Sequence, residues 1–510
     1  MGRDEPAPDE PAPDEPAPDE PAPDEPAPDV PVPEETTPDS TSGDGAGNGF
    51  GRGESGITTA NGSASRSVVG DATTQRRDIL RLAVPAFLAL IAEPLFLLVD
   101  SAIIGHLGTA ELAGLGVASA ALITGAGIFV FLAYGTTSVV ARHLGAGDER
   151  SAISAGVDGL WLALGLGAFT AAVVAIWAEP ICAAFGASPA VLEQATIYLR
   201  VSAFGLPGML VILAVTGVLR GLQDTITPLV ASVAGFGLNI ALNILFVYGL
   251  HWGIAGSAWG TVIAQTGMAV ALVTVLVVKA RARQASLHPH PARVLAAART
   301  GIPLLVRTLA LRAVLLLTTW VAASLGDVTL AAHQVSMTIW SFLAFALDAL
   351  AIAAQAIVGR ALGAGDRRGV RDSMGTMTRW GVWGGAGLGL ALVALHGVIP
   401  PLFTPDPAVQ DALSAALVVV GLGQAVSGYV FVLDGVLIGA GDGTWLAWGM
   451  LVTLVAYLPI LLAVRSAGPS GSPARDVAVL WAAFTGFMVI RAFVLGWRAR
   501  HDAWMVVGAR

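Results

Sequence analysis

Charge, thiols and lysine are all scarce in this chain. Only 13% of its 510 residues are charged, with a single cysteine, Cys182, and a single lysine, Lys279. So little charge excludes an ordinary soluble protein, which would need far more polar surface to cover a core of this length. One cysteine excludes an intramolecular disulfide and a thiolate zinc site, and Cys182 reads as a small apolar filler near a helix end. No Gly-x4-Gly-Lys-Ser/Thr loop occurs, so ATP does not drive the protein directly. Nothing in the pattern calls for a nucleic acid, a metal or an organic cofactor.

What is present is apolar: 55% of the residues are hydrophobic and the mean hydropathy is +0.70. The formal charge of −9 misdescribes both parts of the chain. Residues 1–71 hold 17 of the 37 acids and 3 of the 28 bases, a net of −14, which leaves 25 bases against 20 acids in the remainder. The acidic part repeats Asp-Glu-Pro-Ala-Pro five times from Asp4. Proline removes donors and favours polyproline II while the carboxylates repel, so residues 1–75 are expected to be an extended, disordered tail and linker of unassigned partner. An acidic start cannot serve as a signal peptide, so targeting falls to the first apolar helix.

From Ile79 onward, apolar runs alternate with short polar breaks. About 20 apolar residues span a bilayer core, and a helix satisfies its own backbone groups there. The runs predict twelve transmembrane helices near 79–105, 113–141, 152–178, 190–219, 228–249, 255–279, 299–324, 331–359, 374–399, 408–438, 445–465 and 476–497. Arginines gather in alternate breaks, at Arg76, Arg77, Arg142, Arg150, Arg367, Arg368, Arg371, Arg498 and Arg500. The positive-inside rule then puts both termini in the cytoplasm, and the plasma membrane is the expected location.

A self-match at a constant offset of 218 residues is the most informative feature. Pro85 aligns with Pro303, Leu107-Gly108 with Leu325-Gly326, and Arg142-x-Leu-Gly-Ala-Gly-Asp148 with Arg360-x-Leu-Gly-Ala-Gly-Asp366. Phe185 meets Phe403, Pro189-Ala-Val191 meets Pro407-Ala-Val409, and Asp224 meets Asp442. The fold expected is therefore all-α and integral to the membrane, with two six-helix lobes related by a parallel repeat. The lobes are residues 76–280 and 295–500, joined by a basic loop at 281–294 and followed by a short cytoplasmic C-terminus at 501–510. Such duplication, with a site between the halves, is the common plan of secondary transporters.

An ionisable group at membrane depth costs about 2.5–3.5 kcal/mol or more, so each one is a functional candidate. Asp100 lies in the first helix, 15 residues after Pro85, whose missing donor permits a bend. It can bind and release a proton, or it can be a structural acid paired with an arginine such as Arg312. Its repeat partner is Thr318, so the coupling chemistry is expected in the first lobe alone. Asn239 and Asn243 are four apart and share a face, with Tyr457 and Leu461 as partners; they can bond Asp100 or merely lock helices. Asp348 is a second-lobe candidate whose alternative is pairing with Arg307 or Arg312. Glu93, beside Pro94, can join a relay or cap a kink.

Gly-Ala-Gly-Asp occurs at 145–148, 363–366 and 439–442 and fits the Gly-x-Gly-Asp pattern of intramembrane aspartyl proteases. At interhelical positions it reads instead as a tight turn with a helix cap.

Glu93-Pro-Leu…Asp100-Ser-Ala-Ile-Ile-Gly-His-Leu-Gly108 resembles the first-helix motif of the multidrug and toxic compound extrusion family, in its DNA-damage-inducible-F branch. Val218-Leu-Arg-Gly-Leu-Gln-Asp-Thr225, Leu238-Asn-Ile-Ala-Leu-Asn-Ile-Leu-Phe246 and Gly253-Ile-Ala-Gly-Ser-Ala-Trp-Gly-Thr261 extend the likeness over the whole body, the tail excepted. The resemblance implies cation-driven export of organic, cationic or amphipathic solutes by a monomer, with no enzymatic activity. It implies that Asp100 is the ion-coupling carboxylate and that helix 1 bends at Pro85 with its protonation. It also implies a polar cluster of Asn239, Asn243 and Thr261, with Asp348 matching an acid of the branch. Some relatives carry Asp at the position of Asn243; its absence favours protons over sodium. Two alternatives stand beside this reading. A lipid or lipid-linked precursor flippase would want Arg307 and Arg312 facing one central cavity. An intramembrane protease would need Asp100 and Asp348 face to face.

Overall fold

The computed structural model describes residues 72–509, apart from the side chains of residues 72–75, Glu93 and Leu98. The predicted tail therefore lies outside the described residues, except that helix already begins at Ala72. Every long element is α-helical. The first lobe holds α1 (Ala72–Gly105), α2 (Thr109–Ile128), α3 (Phe131–Gly145), α4 (Glu149–Ile176), the short α5 (Ala178–Ala183), α6 (Pro189–Ser202), α7 (Leu206–Gly221), α8 (Ile226–Ile244) and α9 (Gly253–Ala282). The second holds α10 (Pro291–Ser324), α11 (Asp327–Gly363), α12 (Arg367–Ala394), α13 (Pro407–Gly439), α14 (Gly443–Ala467) and α15 (Pro473–Arg500).

These make twelve spans, because α2 with α3, and α6 with α7, each form one crossing. Breaks at Phe129–Val130 and at Ala203–Gly205 interrupt what the sequence pattern showed as continuous runs; Pro207, without an amide donor, follows the second. Eleven spans among the described residues are long and apolar enough to cross a membrane. The exception is α12, which opens with Arg367, Arg368, Arg371, Asp372 and Arg379 among glycines. Its glycines have a use: Gly381, Gly385 and Gly389 lie against the carbonyls of Gly428, Gln424 and Gly421 on α13, where a Cβ would collide. Small residues of this kind let membrane helices approach closely.

The repeated motif meets itself where the lobes join. Gly145 of α3 packs on the Arg360 carbonyl, and Gly363 of α11 packs on the Arg142 carbonyl, each with no room for a Cβ. Both motif arginines reach across to the other lobe. Arg142 donates to Ala440 O at 2.6 Å, and Arg360 to Gln223 Oε1 at 2.5 Å. Gln223 and Gly441 are repeat partners, both at positive φ, 62° and 73°. This end of the bundle is closed. The closure has a mutational consequence: Gly363→Ala should strain the closed state by about 1–3 kcal/mol, the usual cost of overpacking. Maleimide labelling of a Ser138→Cys reporter, now buried beneath Gly439, should then rise severalfold; unchanged labelling would contradict the tight contact. The one native cysteine, Cys182, is buried and leaves the background low.

The C-terminal segment, expected only as a short tail, folds back onto this joint. Trp504 and Met505 are buried, Gly508 N donates to Leu362 O at 3.0 Å, and Arg142 donates to the Gly508 carbonyl at 2.9 Å and to that of Val506.

The Gly-Ala-Gly-Asp copies are turns, as the capping reading expected. Asp148 accepts from Ser151 N at 2.8 Å and Asp366 from Gly369 N at 2.7 Å, capping α4 and α12. Bonding to Ser151 holds the Asp148 carboxyl below the usual carboxylate range, so this cap stays ionised at neutral pH. Asp442 instead accepts from Arg498 at 2.7 Å.

Candidate functional site

Asp100 sits one and a half turns before the end of α1, and it is 2% exposed. Three other helices of the first lobe converge on it. From α8, Asn243 Nδ2 donates to Asp100 Oδ1 at 2.7 Å; from α9, Ser257 Oγ donates to the same oxygen at 2.8 Å. From α6, the Tyr198 hydroxyl faces Oδ2 at 3.5 Å, the limit of a hydrogen bond. One turn along, Asn239 Nδ2 donates to Thr261 Oγ1 at 3.0 Å. The spacing explains the arrangement. Asn239 with Asn243, and Ser257 with Thr261, are i,i+4 pairs, so each helix offers two polar groups on the face turned to its neighbour. Gly260 makes the approach feasible, since a Cβ there would overlap Asn243 Oδ1. Tyr248, in the π turn Leu245–Gly249, donates to Ile103 O at 2.7 Å and ties the end of α1 to that of α8.

The donors around Asp100 are all neutral. Among the described residues no arginine, Arg312 included, pairs with Asp100. Asn239 Oδ1 and Asn243 Oδ1 are buried with no hydrogen-bond donor. The second lobe keeps the place and loses the charge: Thr318 and Tyr457, repeat partners of Asp100 and Asn239, hydrogen-bond each other at 2.9 Å.

Asp348, the second-lobe candidate, is not among the groups bonded to Asp100, Asn239, Asn243 and Thr261. It lies half-buried on α11, within electrostatic reach of Arg220 and Arg307. Nor is it ion-paired with Arg307. That guanidinium forks onto Asp434 of α13, Nε to Oδ1 at 3.2 Å and Nη2 to Oδ2, and passes 5.9 Å from the Tyr134 ring centroid on α3. Arg491 of α15 completes the triad at 3.0 Å from Asp434 Oδ1. Arg312 borders Gly127 of α2, where a Cβ would overlap its guanidinium. The side chain of Glu93 lies outside the described residues, and α1 runs unbroken through Pro85 and Pro94.

Sequence reading missed Ser257, Tyr198 and Asp434. Ser257 was within reach, four residues before Thr261 on the same face. Tyr198, one of five tyrosines, sits in a half-helix that ends at an unforeseen break. Asp434 lies one turn before a Gly-Ala-Gly-Asp turn and drew no notice beside it.

The duplicated lobes agree with comparison to known proteins. The family model described as MatE matches twice, at residues 85–245 and 303–464, beginning at the paired prolines. The chain belongs to the MatE family. Protein DETOXIFICATION 44, chloroplastic, of Arabidopsis thaliana is 33% identical over 448 residues, 84% of each chain. DNA damage-inducible protein F of Escherichia coli strain K12 is 31% identical over 457 residues, 85% of this chain and 94% of the relative. Among solved structures, an outward-facing multidrug resistance MATE family transporter matches with a TM-score of 0.75 at 22% identity, covering 84% of this chain and 96% of its own. A point mutant of the Vibrio cholerae MATE transporter VcmN gives 0.76 at 20%, with 85% and 99% covered. This MATE protein is thus a multi-pass membrane transporter and not an enzyme. Asp100 and Asp348 have separate sets of neighbours, which also disposes of the aspartyl protease reading.

Proposed function

We propose that the protein exports organic solutes by proton-coupled antiport, with Asp100 carrying the proton. One observation supports this reading above others: a buried carboxylate held only by neutral donors, beside two amide oxygens that lack a donor. A proton on Asp100 removes a buried charge and creates a donor for such an oxygen. Outside protons would load Asp100, repack α1 against α6, α8 and α9, and release solute; return to the inside would unload it. Export calls for the positive-inside orientation, with the closed Gly-Ala-Gly-Asp end and both termini cytoplasmic, in the plasma membrane and as a monomer. A proton suits the site better than sodium, because Asn243 stands where an acid would supply a second anionic ligand.

Reconstituted vesicles test the coupling. In sodium-free potassium buffer, an imposed pH gradient should drive accumulation of an organic probe, either tetraethylammonium or p-aminohippurate, and a protonophore should abolish it. Accumulation that requires sodium and ignores the pH gradient would overturn the proton assignment.

A further inference from the structure

Arg142 is nearly fully buried where the lobes meet, and a guanidinium taken out of water needs acceptors. Its repeat partner Arg360 obtains one from the Gln223 side chain. Gly441 stands in the place of Gln223 and offers no side chain, although a Cβ there would lie 3.7 Å from Arg142 Nη1. The backbone of the segment after α15 supplies acceptors instead. Gly508 O accepts from Nε at 3.1 Å and from Nη2 at 2.9 Å, and Val506 O also accepts from Nη2. That segment is fastened to the second lobe. Asp502 pairs with Arg371 of α12 at 2.5 Å, Trp504 Nε1 donates to Ala499 O at 3.4 Å, and Gly508 N donates to Leu362 O at 3.0 Å. Arg142, on α3, belongs to the first. At the offset of 218, the counterpart of residues 504–509 is 286–291 in the loop between the lobes. There Leu287 O accepts from Trp161 Nε1 of α4 at 3.1 Å, so the counterpart packs within its own lobe.

We propose that residues 504–509 are a clasp that holds the Gly-Ala-Gly-Asp end shut, staying with the second lobe and gripping Arg142 of the first. This rests on the transporter assignment, because a transporter that opens to each side in turn must part its lobes at this end. It does not depend on Asp100 or on the solute. Parting carries Arg142 away from Ala440, Val506 and Gly508 together, so the clasp adds charge-assisted bonds to the closed state that the open state lacks. Gly508 is where the clasp can be loosened by itself. Its φ of 95° is one that L side chains rarely adopt, yet a Cβ there would meet nothing within 4 Å.

The test uses the full chain in lipid vesicles and a membrane-permeant maleimide. Ser138→Cys reports opening at this end, and Ser427→Cys, buried inside the second lobe, reports unfolding. Gly508→Val should raise the labelling rate of Ser138→Cys about 5–30-fold, the range for an L side chain forced to positive φ, and leave that of Ser427→Cys unchanged. Arg142→Gln should also raise it, and the double variant should label no faster than Arg142→Gln alone, since both changes undo one contact. Gly441→Gln gives Arg142 the side-chain acceptor that Gln223 gives Arg360, and Gln223 already holds the equivalent turn at a φ of 62°. Added to Gly508→Val, it should bring labelling back toward wild type, a rescue that a general loss of packing would not show. Labelling of Gly508→Val equal to wild type overturns the proposal. So do effects of Gly508→Val and Arg142→Gln that multiply in the double variant. Exposure of Ser427→Cys by Gly508→Val overturns it as well, because the segment would then support the fold and not the gate.

Discussion

Asp100→Asn should abolish pH-driven transport while leaving exchange of solute without a gradient close to wild type. The amide has the size of the acid and can still accept from Asn243 and Ser257, so the four-helix contact survives. What it cannot do is gain or lose a proton. Coupling between sites is commonly worth about 1–3 kcal/mol, so gradient-driven accumulation should fall by about 5–150-fold. Solute counterflow needs only the rocking of the lobes and should persist. Ser257→Ala should act more mildly, since it removes one of two close donors to Asp100 Oδ1. A mutant that still accumulates solute against its gradient in response to pH would remove Asp100 from the mechanism.

Asp434→Ala should cost about 3–5 kcal/mol of stability, the range for breaking a buried pair by removing one partner. Arg307 and Arg491 would then be left as two like charges, both nearly fully buried in the second lobe with their shared carboxylate gone. Replacing all three groups with apolar residues, as Arg307→Met, Asp434→Leu and Arg491→Met together, should recover most of the loss, because no unpaired charge remains. Thermal unfolding of the purified variants decides between these outcomes. A single Asp434→Ala as stable as wild type would show that the guanidiniums find water or another acceptor, and that the triad is not a structural pivot.

Much of the architecture was legible because two independent signals agreed. The apolar runs gave the number of spans, and the offset between Pro85 and Pro303 gave the lobes, which the family model also finds. The breaks inside the second and fourth spans were not legible. Phe129 and Val130, where the second span breaks, carry no turn chemistry. Asp100 stood out for the opposite reason: a carboxylate deep in an apolar helix has no cheap explanation. Its partners were half visible. Asn239, Asn243 and Thr261 follow from helical spacing, whereas Tyr198 comes from a helix whose azimuth no pattern fixes. For Asp348 the sequence named arginine neighbours on the same lobe; the fold places Arg307 near it, engaged with Asp434, and adds Arg220 from the other lobe.

The closed joint, the neutral donors around Asp100 and the Thr318–Tyr457 pair in the corresponding place describe one asymmetric machine. In the mechanism we propose, both lobes rock while the proton is carried in the first lobe. Pro85 in α1 and Pro303 in α10 remain equivalent, so a bend is available to both. The difference lies in what each helix carries beyond its proline, Asp100 in α1 and Thr318 in α10.

Infrared difference spectroscopy of the protein in lipid, titrated from alkaline to acid, tests the central claim most directly because it needs no knowledge of the solute. A protonated-carboxyl band should grow in the wild type as pH falls through the working range, and it should be missing from Asp100→Asn. A band of equal size in both proteins, or none in the wild type, would contradict proton carriage by Asp100.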